Sequence, residues 1–166
     1  MRVAVAGTFG PIHDGHRLLL DHALRFGEEH VIVGLTSDEL AVETRSVPRP
    51  IPSHEERKQS LESVIDAIDE WDRDVTISEL DDPQGIISDD PAIDALVTSP
   101  ETVDELEAVN ETRRERGFDP LTGIVAPYVL AEDGDRISST RIVRGEIDEH
   151  GAVLEQGDDS YPADTP

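Results

Sequence analysis

Cysteine is absent from this sequence, lysine occurs once, at Lys58, and no stretch approaches the roughly 18 consecutive apolar residues of a membrane-spanning helix. Without cysteine there is no disulfide framework and no thiolate zinc site, so a bound metal would have to be held by oxygen or imidazole. No charged segment followed by an apolar run opens the chain, which reads as a soluble, cytoplasmic protein with no membrane partner. Positive charge is also scarce: 14 Lys and Arg stand against 38 Asp and Glu, a formal net charge of -24 on 166 residues. Such an excess repels phosphate backbones and anionic lipid surfaces, which argues against a nucleic-acid partner.

The same excess suits concentrated salt, because the screening length falls from about 10 Å at 0.1 M to about 3 Å at 1 M. Repulsions between carboxylates, which oppose the compact state, then fade. The melting temperature is therefore expected to climb as KCl is raised from about 0.1 M to above 1 M. A melting temperature indifferent to KCl would refute this reading of the acidity as a halophilic surface.

A chain of this length can bury one sizeable core. Five short β-branched runs punctuate it: "RVAVAG" from Arg2, "HVIVGLT" from His30, "DVTISEL" from Asp74, "DALVTS" from Asp94 and "GIVAP" from Gly123. Leucine-spaced segments lie between them, at Leu18 to Phe26, Glu55 to Trp71 and Val103 to Arg116, and "SHEE", Ser53 to Glu56, matches a capping box. Strands alternating with helices imply an α/β fold, a Rossmann-like open and mostly parallel five-stranded sheet with helices on both faces. Thr44 to Pro52, "TRSVPRPIP", reads as a surface loop. Residues 1–145 are expected to form the domain, and 146–166, acidic and poor in large apolar residues, a disordered tail. Nothing in the sequence fixes an oligomeric state.

Chemistry concentrates in "AVAGTFGPIHDGH", Ala4 to His16. It follows the first strand, where ligands of open α/β sheets bind. Gly7 allows a tight turn and close backbone approach, and the amides opening the next helix attract anions. There is neither a G-x-G-x-x-G nor a G-K-[ST]. His13 and His16, three apart, are candidates for core residues, metal ligands or phosphate binders. They belong to the glycine turn and not to the stripe Leu19, Leu20, Ala23, Leu24, and no H-E-x-x-H or further ligand supports zinc, so no metal site is assigned. Near the other end, Ser138, Ser139 and Thr140 read as cap residues of a short helix whose amides and hydroxyls suit a phosphate tail, with Arg141 adding charge.

"GTFGPIHDGH" resembles the T/H-x-G-H signature of the nucleotidylyltransferase superfamily, and "RISSTRI", Arg136 to Ile142, resembles its second signature, I-S-S-T-x-[IL]. "SPETVDELEAVNETRRERGFDPL", Ser99 to Leu121, is similar to a segment of the archaeal and eukaryotic phosphopantetheine adenylyltransferases. The resemblance implies transfer of an adenylyl group from ATP, accompanied by Mg²⁺, to 4′-phosphopantetheine, giving dephospho-coenzyme A and pyrophosphate. It assigns His16 to charge developing on the α-phosphate, His13 to the ATP phosphates, and Thr8 to the attacking phosphate; Gly7, Phe9, Gly15, Ser138, Ser139, Thr140 and Arg141 would bind nucleotide. Members of the superfamily commonly use a lysine after the second strand, for which Arg45 or Arg49 would substitute here, and many carry Asp where this chain has Gly10. Two rival functions are another nucleotidylyltransferase, with a nicotinamide mononucleotide, FMN or cytidylyl-class acceptor, and a non-catalytic nucleotide-binding regulator.

Overall fold

All five β-branched runs become strands: β1 (Arg2–Gly7), β2 (His30–Thr36), β3 (Val75–Leu80), β4 (Ala95–Thr98) and β5 (Thr122–Val125). The structure, a computed structural model, describes residues 1–44 and 49–155. The strands pair in parallel in the order β3-β2-β1-β4-β5, the open five-stranded sheet expected. The chain winds outward from β1 to β3, then crosses back to β4, so the winding reverses between β1 and β4. Loops there diverge to opposite faces and leave a crevice at the carboxyl edge of the sheet.

Period-two alternation divides the strands between two apolar layers. Val3, Val5, Val31, Val33 and Val97 face α1 (Asp14–Phe26) and α3 (His54–Ile68), meeting Leu20, Leu24, Leu61 and Ile65. Ala4, Ile32 and Leu96 face the other way, toward Ile87 of α4 (Gly85–Asp89) and Val109 of α5 (Val103–Glu115). Burial of each large aliphatic side chain contributes about 1.5–3 kcal/mol, and the central strands are buried on both sides. The capping box opening α3 is present, Ser53 Oγ accepting from the Glu56 amide at 3.2 Å and Glu56 Oε1 from the Ser53 amide at 3.1 Å. The short helices α2 (Asp38–Glu43) and α4 were not anticipated, since one turn is too brief for a helical period to show.

Among the described residues, two arginines are fully buried. Arg113, within the "NETRR" segment, collects carbonyls of the last turn of α4 and of two loops: those of Ile87 (2.9 Å), Asp90 (2.8 Å), Asp119 (2.8 Å) and Ile93 (3.3 Å). Beside it Asn110 closes a two-way bond with Leu121, accepting from its amide at 2.7 Å and donating to its carbonyl at 3.2 Å.

The ordered fold runs beyond Gly145, where the sequence reading placed the domain's end. After α6 (Ser139–Val143), Ile147 is fully buried with Ala131 and Ile137 in a third apolar cluster. The Asp14 amide donates to the Glu149 carbonyl at 3.0 Å, and His150 Nδ1 lies 3.0 Å from Asp14 Oδ1. A buried isoleucine, backbone pairing and side-chain pairs such as Arg17–Glu149 and Arg141–Glu146 seat an acidic segment that composition alone marks as solvating. Residues 156–166 lie outside the described residues.

Candidate active site

Over the carboxyl edge of β1 and β4 lies a cleft with two lobes that share Gly7, Thr98 and Glu101. The first, about 350 Å³, is bounded by the start of α1 and the start of α6, with His13, Gly15, His16, Ser138, Ser139 and Thr140 in its wall. The second, about 420 Å³, opens toward Thr8, Thr36, Leu80, Ile87 and Glu105. Both are of the size that holds small molecules.

The histidine pair builds the helix it begins. His13 is the N-cap of α1: its Nδ1 accepts from the Gly15 amide at 3.0 Å, while the His13 amide donates to His16 Nδ1 at 3.3 Å. This is a capping box in which imidazoles replace the usual hydroxyl and carboxylate. The rings stack, centroids 3.8 Å apart and 24° between planes. Because each Nδ1 accepts, the proton of each neutral ring is assigned to Nε2. Gly15 is required by this geometry, since a Cβ there would lie 2.8 Å from His13 Cε1. Its absence makes room for the cap rather than directly for a nucleotide.

Burial lowers the His13 pKa from 6.5 to about 4, aided by the positive charge of Arg17. Between these values the unfolded chain binds a proton that the folded chain refuses, so this contribution to stability is present above pH 6.5 and lost as the pH falls toward 4. It amounts to about 3 kcal/mol at most. A His13→Asn variant, which keeps an acceptor oxygen at the cap, is expected to lose this slope when urea midpoints are compared from pH 4 to 7.

Phe9 does not face the cleft. It is 1% exposed and belongs to the core, with its ring 5.1 Å from that of His16 and close enough beneath Gly7 that a Cβ there would meet it at 3.2 Å. Its φ of +50° is unusual for a bulky residue and marks strain at the turn. The turn is held by Arg57, the second buried arginine. Arg57 donates to the Thr8 carbonyl (3.0 Å), the Pro52 carbonyl (2.9 Å), Thr36 Oγ1 (3.1 Å) and Asp38 Oδ1 (3.2 Å), and Thr36 in turn donates to Thr8 Oγ1 at 3.1 Å. The glycine at position 10 follows from the same packing, because a Cβ there would lie 2.7 Å from Arg57 Cδ.

The second signature is arranged differently from its sequence reading. Only Ser138 is the N-cap of α6, its Oγ accepting from the Arg141 amide at 3.2 Å. Ser139 instead donates to the Pro11 carbonyl at 2.7 Å, tying α6 to the β1–α1 turn. Arg141 does not line either lobe; it is bound by Asp133 and Glu146, and its hydrogen bond holds the Asp133 carboxyl below the usual range. Among the described residues, the arginine in the wall of the first lobe is Arg136. Arg49 Nη1 donates to the Gly10 carbonyl at 3.0 Å, and Arg45 lies outside the described residues. Among the described residues no group of three His, Cys, Asp or Glu is arranged to hold a metal.

Residues 4–145 match the cytidylyltransferase-like family model. The chain is 43% identical over 154 residues to a phosphopantetheine adenylyltransferase of Methanothermobacter thermautotrophicus, covering 93% of this chain and 90% of that one. It is 40% identical over 153 residues to the phosphopantetheine adenylyltransferase of Methanosarcina acetivorans, covering 92% and 95%. The chain belongs to the phosphopantetheine adenylyltransferase family. A crystal structure of a protein of unknown function from Archaeoglobus fulgidus superposes with a TM-score of 0.67 at 28% identity, over 76% of this chain and 89% of that one.

Within this phosphopantetheine adenylyltransferase family member, sequence reasoning missed four residues of the site: Arg57, Thr36, Glu101 and Arg136. Arg57 and Thr36 sit in ordinary helix and strand patterns, and only the fold brings them behind Thr8. Arg136 stands at the head of the second signature, and it lines the lobe where the sequence points to Arg141. Burial, and then the Glu101 charge, hold the nearby Glu105 carboxyl above its ordinary range.

Proposed function

We propose that this chain transfers the adenylyl group of ATP to the phosphate of 4′-phosphopantetheine. The observation that carries this reading is its identity, over nearly the full length of both chains, to relatives of that name. An acceptor phosphate oxygen attacks the α-phosphorus, the bond from that phosphorus to the α–β bridging oxygen breaks, and pyrophosphate leaves with the bridging oxygen. The attacking group is already an anion, so the protein's task is positioning and charge stabilisation.

The first lobe takes ATP, with Mg²⁺ entering as the companion of its phosphates. The second lobe, richer in aliphatic side chains, takes the pantetheine arm, so the two phosphates meet at Gly7. His16 donates from Nε2–H to the α-phosphate as its charge develops. Neutral His13 offers its Nε2–H to the phosphate chain, and Thr8 orients the acceptor phosphate. Ser138, Ser139 and Thr140 form the wall against the nucleotide phosphates. The setting is the cytoplasm, the partners are these small molecules and not nucleic acid, and the acidic surface suits concentrated salt.

The test is pyrophosphate release in concentrated KCl from Mg-ATP with 4′-phosphopantetheine, nicotinamide mononucleotide or FMN, and from Mg-CTP with glycerol 3-phosphate. Release with 4′-phosphopantetheine alone is expected. Faster release with another acceptor overturns the substrate assignment, and release with none overturns the enzymatic reading.

A further inference from the structure

Among the described residues, the first lobe is lined by one permanently charged cation and one carboxylate, Arg136 and Glu101, and these are bound to each other. Arg136 Nη2 lies 2.6 Å from Glu101 Oε2. Their side chains are 46% and 50% exposed, so solvent screens the attraction and the pair opens at little cost. The guanidinium also rests 5.5 Å from the ring centroid of Tyr128, a contact that keeps it at the wall of the lobe when its carboxylate partner leaves. Neighbouring arginines are committed elsewhere: Arg141 to Asp133 and Glu146, Arg17 to Asp14 and Glu149.

A polyanionic phosphate chain entering this lobe meets two opposed charges. Beside Glu101 it is repelled, and the guanidinium that matches phosphate as a two-pronged donor is already satisfied. Exchange of one anion for another resolves both at once. We infer that Glu101 is a placeholder anion on Arg136, displaced when the phosphates of the nucleotide take over the guanidinium. Glu101 also lines the second lobe, which receives the displaced carboxylate. This rests on the reading that the first lobe takes ATP. It makes Arg136 a phosphate-binding residue and Glu101 a gate that admits ligands with enough negative charge to replace it.

The experiment is titration calorimetry with tripolyphosphate and, separately, adenosine, at one fixed KCl concentration, on the native chain, Glu101→Gln, Arg136→Ala and the double variant. Glu101→Gln is expected to bind tripolyphosphate about three- to tenfold more tightly, since it frees the guanidinium of its competitor. Arg136→Ala is expected to bind it about tenfold or more weakly. Adenosine affinity should change by less than about twofold in either, because it carries no charge to exchange. In the Arg136→Ala background the gain from Glu101→Gln should vanish. A gain that persists there assigns the effect to general charge removal and overturns the gate, as does an unchanged or weakened Glu101→Gln. Melting temperatures monitor folding, and Arg136→Gln replaces the alanine variant if that one unfolds. Failure of the native chain to bind tripolyphosphate or ATP overturns the nucleotide reading of the lobe itself, and the gate with it.

Discussion

A His16→Gln variant is expected to fold as well as the native chain and to release pyrophosphate at least about a hundredfold more slowly, the scale of losing one preorganised donor to a transition-state charge. Glutamine is chosen because His16 has two tasks. Its Nδ1 accepts the His13 amide and so helps cap α1, and a Gln at this third position of a helix makes the same reach back to the N-cap. Alanine would remove the cap acceptor as well, costing about 0.5–2 kcal/mol, and would confuse a loose helix with lost catalysis. The measurements are urea unfolding and steady-state turnover with Mg-ATP and 4′-phosphopantetheine. The catalytic assignment fails if the stable glutamine variant turns over near the native rate.

Arg57→Met is expected to cost about 3 kcal/mol, far more than the loss of its ion pair explains. The partner of that pair, Asp38, has a side chain 57% exposed, and half-exposed pairs contribute about 1 kcal/mol or less. The larger penalty comes from the Thr8 and Pro52 carbonyls and Thr36 Oγ1, which lose the guanidinium in a place water reaches poorly. Asp38→Asn, which keeps the acceptor oxygen, should therefore lose only about 1 kcal/mol. Unfolding by urea, not guanidinium chloride, is the appropriate measurement, since salt itself acts on so acidic a chain. Turnover of Arg57→Met should also fall about tenfold or more, because a small misplacement of the Thr8 turn is amplified in the transfer step. Equal losses in the two variants would show that the ion pair is the main contribution.

The sheet was legible because its central strands are buried on both faces and carry near-continuous apolar residues, a pattern local enough to read directly, while the edge strands β3 and β5 still show short β-branched runs. The turn holding Thr8, His13 and His16 was legible as a constellation, but the purposes within it were not. Gly15 accommodates a neighbouring imidazole, Phe9 is a core wedge, and Gly10 yields to Arg57. Each depends on a contact absent from the linear order. Arg141 was misread for the same reason, since Asp133 and Glu146 claim it from just outside the signature. The acidic segment after Gly145 misled composition because Ile147 docks as a single apolar residue, and a sum over the segment dilutes it.

That docking has a consequence for synthesis. Both signatures have been translated once Ile142 is added, yet the first turn of α1 is still incomplete. The acceptor for the Asp14 amide is the carbonyl of Glu149, and His150 engages the Asp14 carboxylate. The helix start that His13 and His16 cap is thus completed by Glu149 and His150, which follow both signatures in the order of synthesis. A chain cut short between Ile142 and Glu149 would carry every signature residue and still lack the clasp that seats them.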